Sequence, residues 1–335
     1  MKLIYLSLII VAIGFTACSS KSNALRKPVT NILITPANRT VVHGNTFTIS
    51  VKSRFTKPEI VEIELYLNNE LIEKSNSDAF EHTLDTRLIL PGKHSIKTVA
   101  KNSKGVSGTN FTTVSVVSEI RPQLLSYRIV ESVEHNTKYY TQGLEFYKGK
   151  LYESTGNHGE SFIYEYTNTR ANVQKQLKID DQYFGEGITI LNDKIYQLTY
   201  KAQKGFVYDV NTFEKIGEFT FASKEGWGLT NNGELLIMSD GTSKISYIDP
   251  ENFKVVKSIE VSFPDGFVNN LNELEYVDGV IYANIWTSEK IVKFDAETGK
   301  VMAFINMNGL LTNFNAQRVD VLNGIAYHPD EQLFY

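Results

Sequence analysis

A repeat constrains this chain more than any other feature. Five segments align: Gln142-Gly143-Leu144-Glu145-Phe146, Glu186-Gly187-Ile188-Thr189-Ile190, Trp227-Gly228-Leu229-Thr230-Asn231, Asn272-Glu273-Leu274-Glu275-Tyr276 and Asn323-Gly324-Ile325-Ala326-Tyr327. Their starts are 44, 41, 45 and 51 residues apart. Each of the first four is followed by a turn (Lys148-Gly149-Lys150, Asn192-Asp193-Lys194, Asn232-Gly233-Glu234, Asp278-Gly279-Val280) and then by three further short apolar runs. A unit of this kind buries its faces only by stacking on copies of itself. Four strands in about 40–50 residues is the signature of a β-propeller blade, and five starts imply five blades.

The innermost strand of a propeller blade lines the central channel, so the five opening residues Gln142, Glu186, Trp227, Asn272 and Asn323 are expected to converge on one mouth. Glu186 is the only carboxylate among these five positions. It sits in Tyr183-Phe184-Gly185-Glu186-Gly187, where glycines admit close backbone approach and aromatics supply low-dielectric walls. Such walls raise a carboxylate's pKa toward neutrality, as a proton shuttle requires. Trp227 is expected to fill the channel as core. In the fifth unit only Gln332-Leu333-Phe334-Tyr335 follows the opening segment. The last blade therefore reads as C-terminally truncated, with Ser126–Glu131 as the candidate outer strand that helps close the ring.

Ahead of the repeat, residues 29–118 alternate apolar and polar in short runs such as Thr46-Phe47-Thr48-Ile49-Ser50-Val51, separated by Asn68-Asn69, Pro91-Gly92 and Lys104-Gly105. Roughly seven strands in about 90 residues fit an immunoglobulin-like β-sandwich, an adaptor, spacer or binding module with no evident chemistry. His43, His82 and His94 read as structural or exposed. The fold class is thus all-β: a sandwich followed by a propeller over residues 122–335.

Residues 1–18 read as a lipoprotein-type signal: Met1-Lys2, an apolar run from Leu3 to Phe15, then Thr16-Ala17-Cys18. The run is too short to span a bilayer, and Ala17-Cys18 resembles the lipobox in which lipid is joined to the cysteine. The expectation is an exported lipoprotein of the bacterial cell envelope, tethered by Cys18 through a linker over residues 19–28. Cys18 is the single cysteine, which excludes an internal disulfide and a thiolate zinc site. A net charge of −4, with no cluster of Lys and Arg interleaved with aromatics, excludes a nucleic-acid partner.

Eight words in order identify a family: Thr141-Gln142-Gly143-Leu144, Glu153-Ser154-Thr155-Gly156, Phe184-Gly185-Glu186-Gly187, Gly226-Trp227-Gly228-Leu229, Ser239-Asp240-Gly241-Thr242-Ser243, Leu271-Asn272-Glu273-Leu274-Glu275-Tyr276, Ala283-Asn284-Ile285-Trp286 and Asp320-Val321-Leu322-Asn323-Gly324-Ile325-Ala326. Together they resemble the plant and bacterial type of glutaminyl-peptide cyclotransferase over about Ser126–Tyr335. The resemblance implies an enzyme that converts N-terminal glutamine of peptides and proteins to pyroglutamate and ammonia, without metal or other cofactor. It puts the acid/base on Glu186, amide partners for the substrate on Gln142 and Asn272, and apolar walls on Phe184 and Trp286. Tyr140 and Tyr200 stand where the family commonly has phenylalanine and tryptophan, and Trp227 joins the channel lining. The family's Thr-Gly-Lys-Leu-Trp-Pro segment, whose lysine faces the site, has no counterpart in this sequence. His135, His158 and His328 lack metal-ligand spacing. A non-catalytic propeller lipoprotein binding peptide or glycan is the alternative function, and a propeller lyase a third.

Overall fold

The computed structural model describes residues 26–55, 57–167, 172–310 and 321–335. The expected signal segment and Cys18 lie outside the described residues.

The first unit is a sandwich of eight strands: β1 (Thr30–Thr35), β2 (Thr40–Val42), β3 (Thr46–Ser53), β4 (Ile60–Leu67), β5 (Glu70–Ser75), β6 (Ala79–Asp85), β7 (Gly92–Asn102) and β8 (Ser107–Val117). One sheet has the order β1-β3-β6 and the other β2-β8-β7-β4-β5. Period-two alternation puts Phe47, Ile49 and Val51 of β3 against Ile63 and Leu65 of β4 and Ile96 of β7 in the core. The turn at Asn68 and Asn69 has positive φ at both residues (49° and 73°), the geometry that matches hairpin twist and that asparagine tolerates. Thr40–Val42 adds the eighth strand because it pairs in parallel with the end of β8.

The scattered histidines of this unit acquire distinct roles. His94 is buried and bonded to Leu90 O (2.9 Å) and Asn68 Nδ2 (2.8 Å); burial lowers its pKa. His82 pairs with Glu73. His43 lies at the seam with the second unit, 3.2 Å from Glu119 Oε2 and from Lys300 Nζ, which itself donates to Glu119 Oε1 at 2.8 Å. Beside this trio, the Ser118 N–H donates to Ser262 Oγ at a buried 3.1 Å contact.

The chain then lays down β9 (Gln123–Leu125) and three antiparallel sheets in chain order. These are β10 (Thr141–Tyr147), β11 (Lys150–Thr155), β12 (Phe162–Tyr166) and β13 (Val173–Lys178); β14 (Gly185–Leu191), β15 (Lys194–Thr199), β16 (Lys204–Asp209) and β17 (Lys215–Thr220); and β18 (Leu229–Asn231), β19 (Leu236–Ser239), β20 (Lys244–Ile248) and β21 (Val255–Glu260). After a hairpin of β22 (Ser262–Phe263) and β23 (Gly266–Phe267), a fourth sheet holds β24 (Leu271–Val277), β25 (Val280–Ile285), β26 (Lys290–Asp295) and β27 (Val301–Asn306). The fifth repeat forms a two-stranded ribbon, β28 (Tyr327–His328) and β29 (Leu333–Phe334). The inner strands touch in sequence, β10 to β14, β14 to β18, β18 to β24 and β24 back to β10, a propeller-like ring. The turns at Lys148-Gly149, Asn192-Asp193 and Asp278-Gly279 have positive φ at both central residues, as tight antiparallel hairpins require.

One expected element moves. Ser126–Glu131 forms no strand, and the fifth repeat gains no outer strand from it; just before it β9 pairs in parallel with β27 of the fourth sheet (Ala303↔Gln123, Ile305↔Leu125). The cause is geometric: the chain leaves the seam at Ser118 and Glu119 beside Lys300, next to the start of β27, and so meets that open edge first.

Glycine after the opening residue brings the inner strands together. A Cβ on Gly143 would lie 2.7 Å from Ile188 N, and one on Gly228 would overlap the Asn272 carbonyl. The fourth repeat carries Glu273 in this place, and its side chain joins two neighbours: Oε1 accepts from Leu144 N–H (3.0 Å) and Oε2 from Ile325 N–H (2.8 Å). Glu275 accepts from Tyr327 N–H (2.9 Å) and Asn284 from Gly324 N–H (3.0 Å). Side chains of the fourth repeat thus hold the backbone of the fifth.

Glu186 stays the only carboxylate among the five opening positions, but three more acids are buried on the inner strands. Glu145, Glu273 and Glu275 are buried on β10 and β24, and burial pushes all three carboxyls up, Glu145 to about 8. Glu145 is bonded by Thr189 Oγ1 (2.5 Å) and Ile190 N–H (3.1 Å). An acid whose pKa rises on folding stabilises the fold fully below the unfolded value, near 4.5, and loses that contribution as pH climbs through the folded one. The thermal midpoint is accordingly expected to fall as pH rises from about 4.5 to about 8. Glu145→Gln should flatten that slope in a melting series, and an unchanged slope would count against this origin.

Candidate active site

Gln142, Glu186 and Asn272 are each the second residue of an inner strand, and each sits at a break in register: between Thr141 and Gly143, Gly185 and Ile188, and Leu271 and Leu274. Such a bulge leaves a residue outside the ladder and re-aims its side chain. Trp227 and Asn323 open their repeats without opening a strand: β18 begins two residues after Trp227, and residues 321–326 have no regular structure.

Three side-chain amides form a relay. Asn272 Nδ2 donates to Asn323 Oδ1 (3.1 Å), and Asn323 Nδ2 donates to Gln142 Oε1 (3.1 Å) and the Thr141 carbonyl (3.0 Å). Each amide fixes the orientation of the next. Bonded in this sense, Gln142 keeps its Nε2 hydrogens and Asn272 its Oδ1 for a ligand. A donor and an acceptor held by one relay together match the two polar ends of a primary amide.

The aromatics line up in two groups. Phe184 meets Tyr140 (6.3 Å, perpendicular), Tyr200 (5.7 Å) and His158 (5.8 Å). A Cβ on Gly156 would strike both the Phe184 ring and Gln142 Cγ, so these two share a wall. Trp227 and Trp286 pack edge to face at 5.5 Å. Trp227 is half-buried rather than core, and Trp286 is 41% exposed, which leaves indole surface for a ligand.

Glu186 joins the groups. Its carbonyl accepts from Ser154 Oγ (2.5 Å), which Gln197 Nε2 supports (2.9 Å), and the next N–H, of Gly187, donates to the Trp227 carbonyl (2.8 Å). The residue is 6% exposed. Burial first, and the charge of Glu225 second, raise its carboxyl well above the ordinary range. Among the described residues no hydrogen bond to that carboxylate offsets the burial, so its proton affinity is raised, as a group that takes up and returns a proton requires.

Two polar groups here were not singled out by sequence reasoning. Glu153, 1% exposed, takes bonds from Thr141 Oγ1 (2.6 Å), Tyr166 OH (2.5 Å) and His135 Nε2 (3.0 Å); donating to Glu153 raises the His135 pKa. This brace holds Thr141, whose carbonyl meets the amide relay. The other is Glu225, whose Oε2 accepts from Trp227 Nε1 at 3.0 Å.

Comparison with known proteins agrees with this architecture. A family model described as glutamine cyclotransferase matches residues 104–335, and one described as a bacterial Ig domain matches residues 28–98. A glutaminyl-peptide cyclotransferase of Arabidopsis thaliana is 35% identical over 221 residues, 63% of this chain and 69% of that protein. The crystal structure of Myxococcus xanthus glutaminyl cyclase aligns with a TM-score of 0.59 at 30% identity, covering 64% of this chain and 92% of that one. With the family model spanning well over half of its length, this chain belongs to the glutamine cyclotransferase family.

Proposed function

We propose that this enzyme, a glutamine cyclotransferase, closes N-terminal glutamine of peptides and proteins into pyroglutamate, and that Glu186 carries both proton transfers. The α-amine nitrogen attacks the side-chain amide carbon, a C–N bond forms within a five-membered ring, and the original amide C–N bond breaks to release ammonia. The substrate amine arrives largely as ammonium, with an ordinary pKa of about 7.7–8.0. Ionised Glu186 takes one of its protons and returns it to the departing nitrogen; the ring nitrogen then holds a second surplus proton, which Glu186 takes in turn and the released ammonia carries away as ammonium. The observation that carries this reading is the buried Glu186 carboxyl with its raised pKa.

The other residues supply orientation. Gln142 Nε2 is suited to donate to the side-chain carbonyl oxygen, and Asn272 Oδ1 to accept from the amide NH2, so a glutamate in place of glutamine loses one partner. Phe184, Tyr140 and Tyr200 on one side and Trp227 and Trp286 on the other enclose the ring-forming chain. Holding it in the cyclic conformer matters because effective molarity for a well-oriented intramolecular attack is large. Incubation with a glutamine-initiated peptide should give a product lighter by one ammonia. An unchanged peptide would refute the activity and leave a ligand-binding propeller.

Export and lipid attachment at Cys18 form a companion proposal, supported by the Leu3–Phe15 run before Thr16-Ala17-Cys18. Expressed in a bacterial host, the wild type should fractionate with membranes and Cys18→Ser should not. Equal membrane recovery of both would sink the assignment.

A further inference from the structure

Glu225 opens no repeat, yet its carboxylate lies between two walls of the site. Trp227 Nε1 donates to Oε2 (3.0 Å), and Lys201 Nζ lies 3.5 Å from Oε1. The same ammonium stands over the Tyr200 ring at 4.4 Å, and Tyr200 packs on Phe184. The backbone is clamped on the same lines: Gly226 N–H donates to Tyr200 O (2.9 Å), Tyr200 N–H to Phe184 O (3.1 Å), and Gly187 N–H to Trp227 O (2.8 Å). Glu225 is thus fixed relative to Glu186 through Phe184 and Gly187, on either side of it.

We propose that Glu225 is a positioning residue of the reaction, its charge setting how firmly Glu186 holds the proton in transit, and that Lys201 tunes that charge as its counter-ion. The proposal rests on the reading of Glu186 as proton carrier. A carboxylate that must accept from an ammonium near neutrality needs a high proton affinity, and a nearby negative charge supplies it beyond what burial gives. Too much would leave Glu186 protonated and idle, and Lys201 offsets part of the charge.

Other ionisable groups packed around Glu186 are engaged elsewhere. Glu145 on β10 is bonded to Thr189 and Ile190, and Glu153 on β11 to His135, Thr141 and Tyr166. Glu273 and Glu275 on β24 bond the backbone of Leu144, Ile325 and Tyr327. His158 abuts Phe184, and Lys194 pairs opposite Leu191 at the far end of β14. Among the described residues, the charge that raises the Glu186 carboxyl beyond the effect of burial is that of Glu225.

The test is four pH profiles of kcat/KM on one glutamine-initiated peptide: wild type, Glu225→Gln, Lys201→Met and the double variant. The substrate amine contributes the same ionisation to all four, so differences belong to the enzyme. Glutamine keeps an oxygen for the Trp227 indole while removing the charge. The acid limb should move to lower pH in Glu225→Gln and to higher pH in Lys201→Met, with Lys201→Met adding no further shift when Glu225 is already neutral. A lowered plateau with an unmoved limb is the result of a purely structural role and would overturn the proposal. So would shifts in the same direction, or a Lys201→Met shift that persists without Glu225. Failure of the underlying reading shows separately, as turnover retained by Glu186→Gln.

Discussion

Glu186→Gln is expected to lower kcat/KM on glutamine-initiated peptides by about 10²- to 10⁴-fold, the usual weight of a positioned acid/base. It should leave the melting temperature at neutral pH unchanged or higher. The two halves of that expectation have one cause. The carboxyl is buried without a compensating donor among the described residues, so ionising it there costs stability, and an amide of the same shape removes the cost. A substitution that harms folding would lower both numbers, whereas loss of a proton carrier lowers only the first. Retained turnover would end the assignment of Glu186, and a large fall in melting temperature would mark it as structural.

Glu273→Ala is expected to have the opposite signature. Removing the side chain leaves the buried N–H groups of Leu144 and Ile325 without acceptors, at about 1–3 kcal/mol each. At roughly 2–4 °C per kcal/mol, the midpoint should drop by about 4–24 °C. Hydrogen exchange at those two amides should accelerate ahead of the rest of the ring. Because Asn323 lies two residues before Ile325 and bridges Gln142 to Asn272, activity should fall as well, with KM rising more than kcat falls. Glu273→Gln, which retains one acceptor oxygen, should lie between alanine and wild type. An unchanged midpoint and unchanged exchange in the alanine variant would remove Glu273 from the closure of the ring.

The sheets were legible because their signals are local. Hairpin turns need positive φ at two adjacent residues, and Lys148-Gly149, Asn192-Asp193 and Asp278-Gly279 advertise it. The glycine after four of the five opening residues recurs because the inner strands crowd the axis. Gln142, Glu186 and Asn272 stood out for the same reason: they occupy one position of a repeated unit. Glu145, Glu273 and Glu275 escaped because alternation with Leu144, Phe146 and Leu274 marks them as solvent-facing on a half-buried strand, whereas inner strands are covered on both faces. Glutamates in the interior of a strand that must be covered on both sides were the available signal. Glu225 and the His135–Glu153 pair belong to loops or bridge distant segments, and no periodicity reports on such contacts.

The edge taken by β9 has a consequence for solubility. The outer strands β13, β17 and β21 carry charges on their rims: Lys175 and Lys178, Lys215 and Glu218, Lys257 and Glu260. Charges of this kind discourage edge-to-edge association. The outer strand of the fourth sheet, Val301-Met302-Ala303-Phe304-Ile305-Asn306, has none, and an uncharged, apolar, proline-free hexamer is the profile of an aggregation-prone segment. It is the strand that Gln123–Leu125 covers. Three residues at the junction of sandwich and ring therefore shield a hexamer far along the same chain, and a boundary for expressing the ring alone belongs before Gln123.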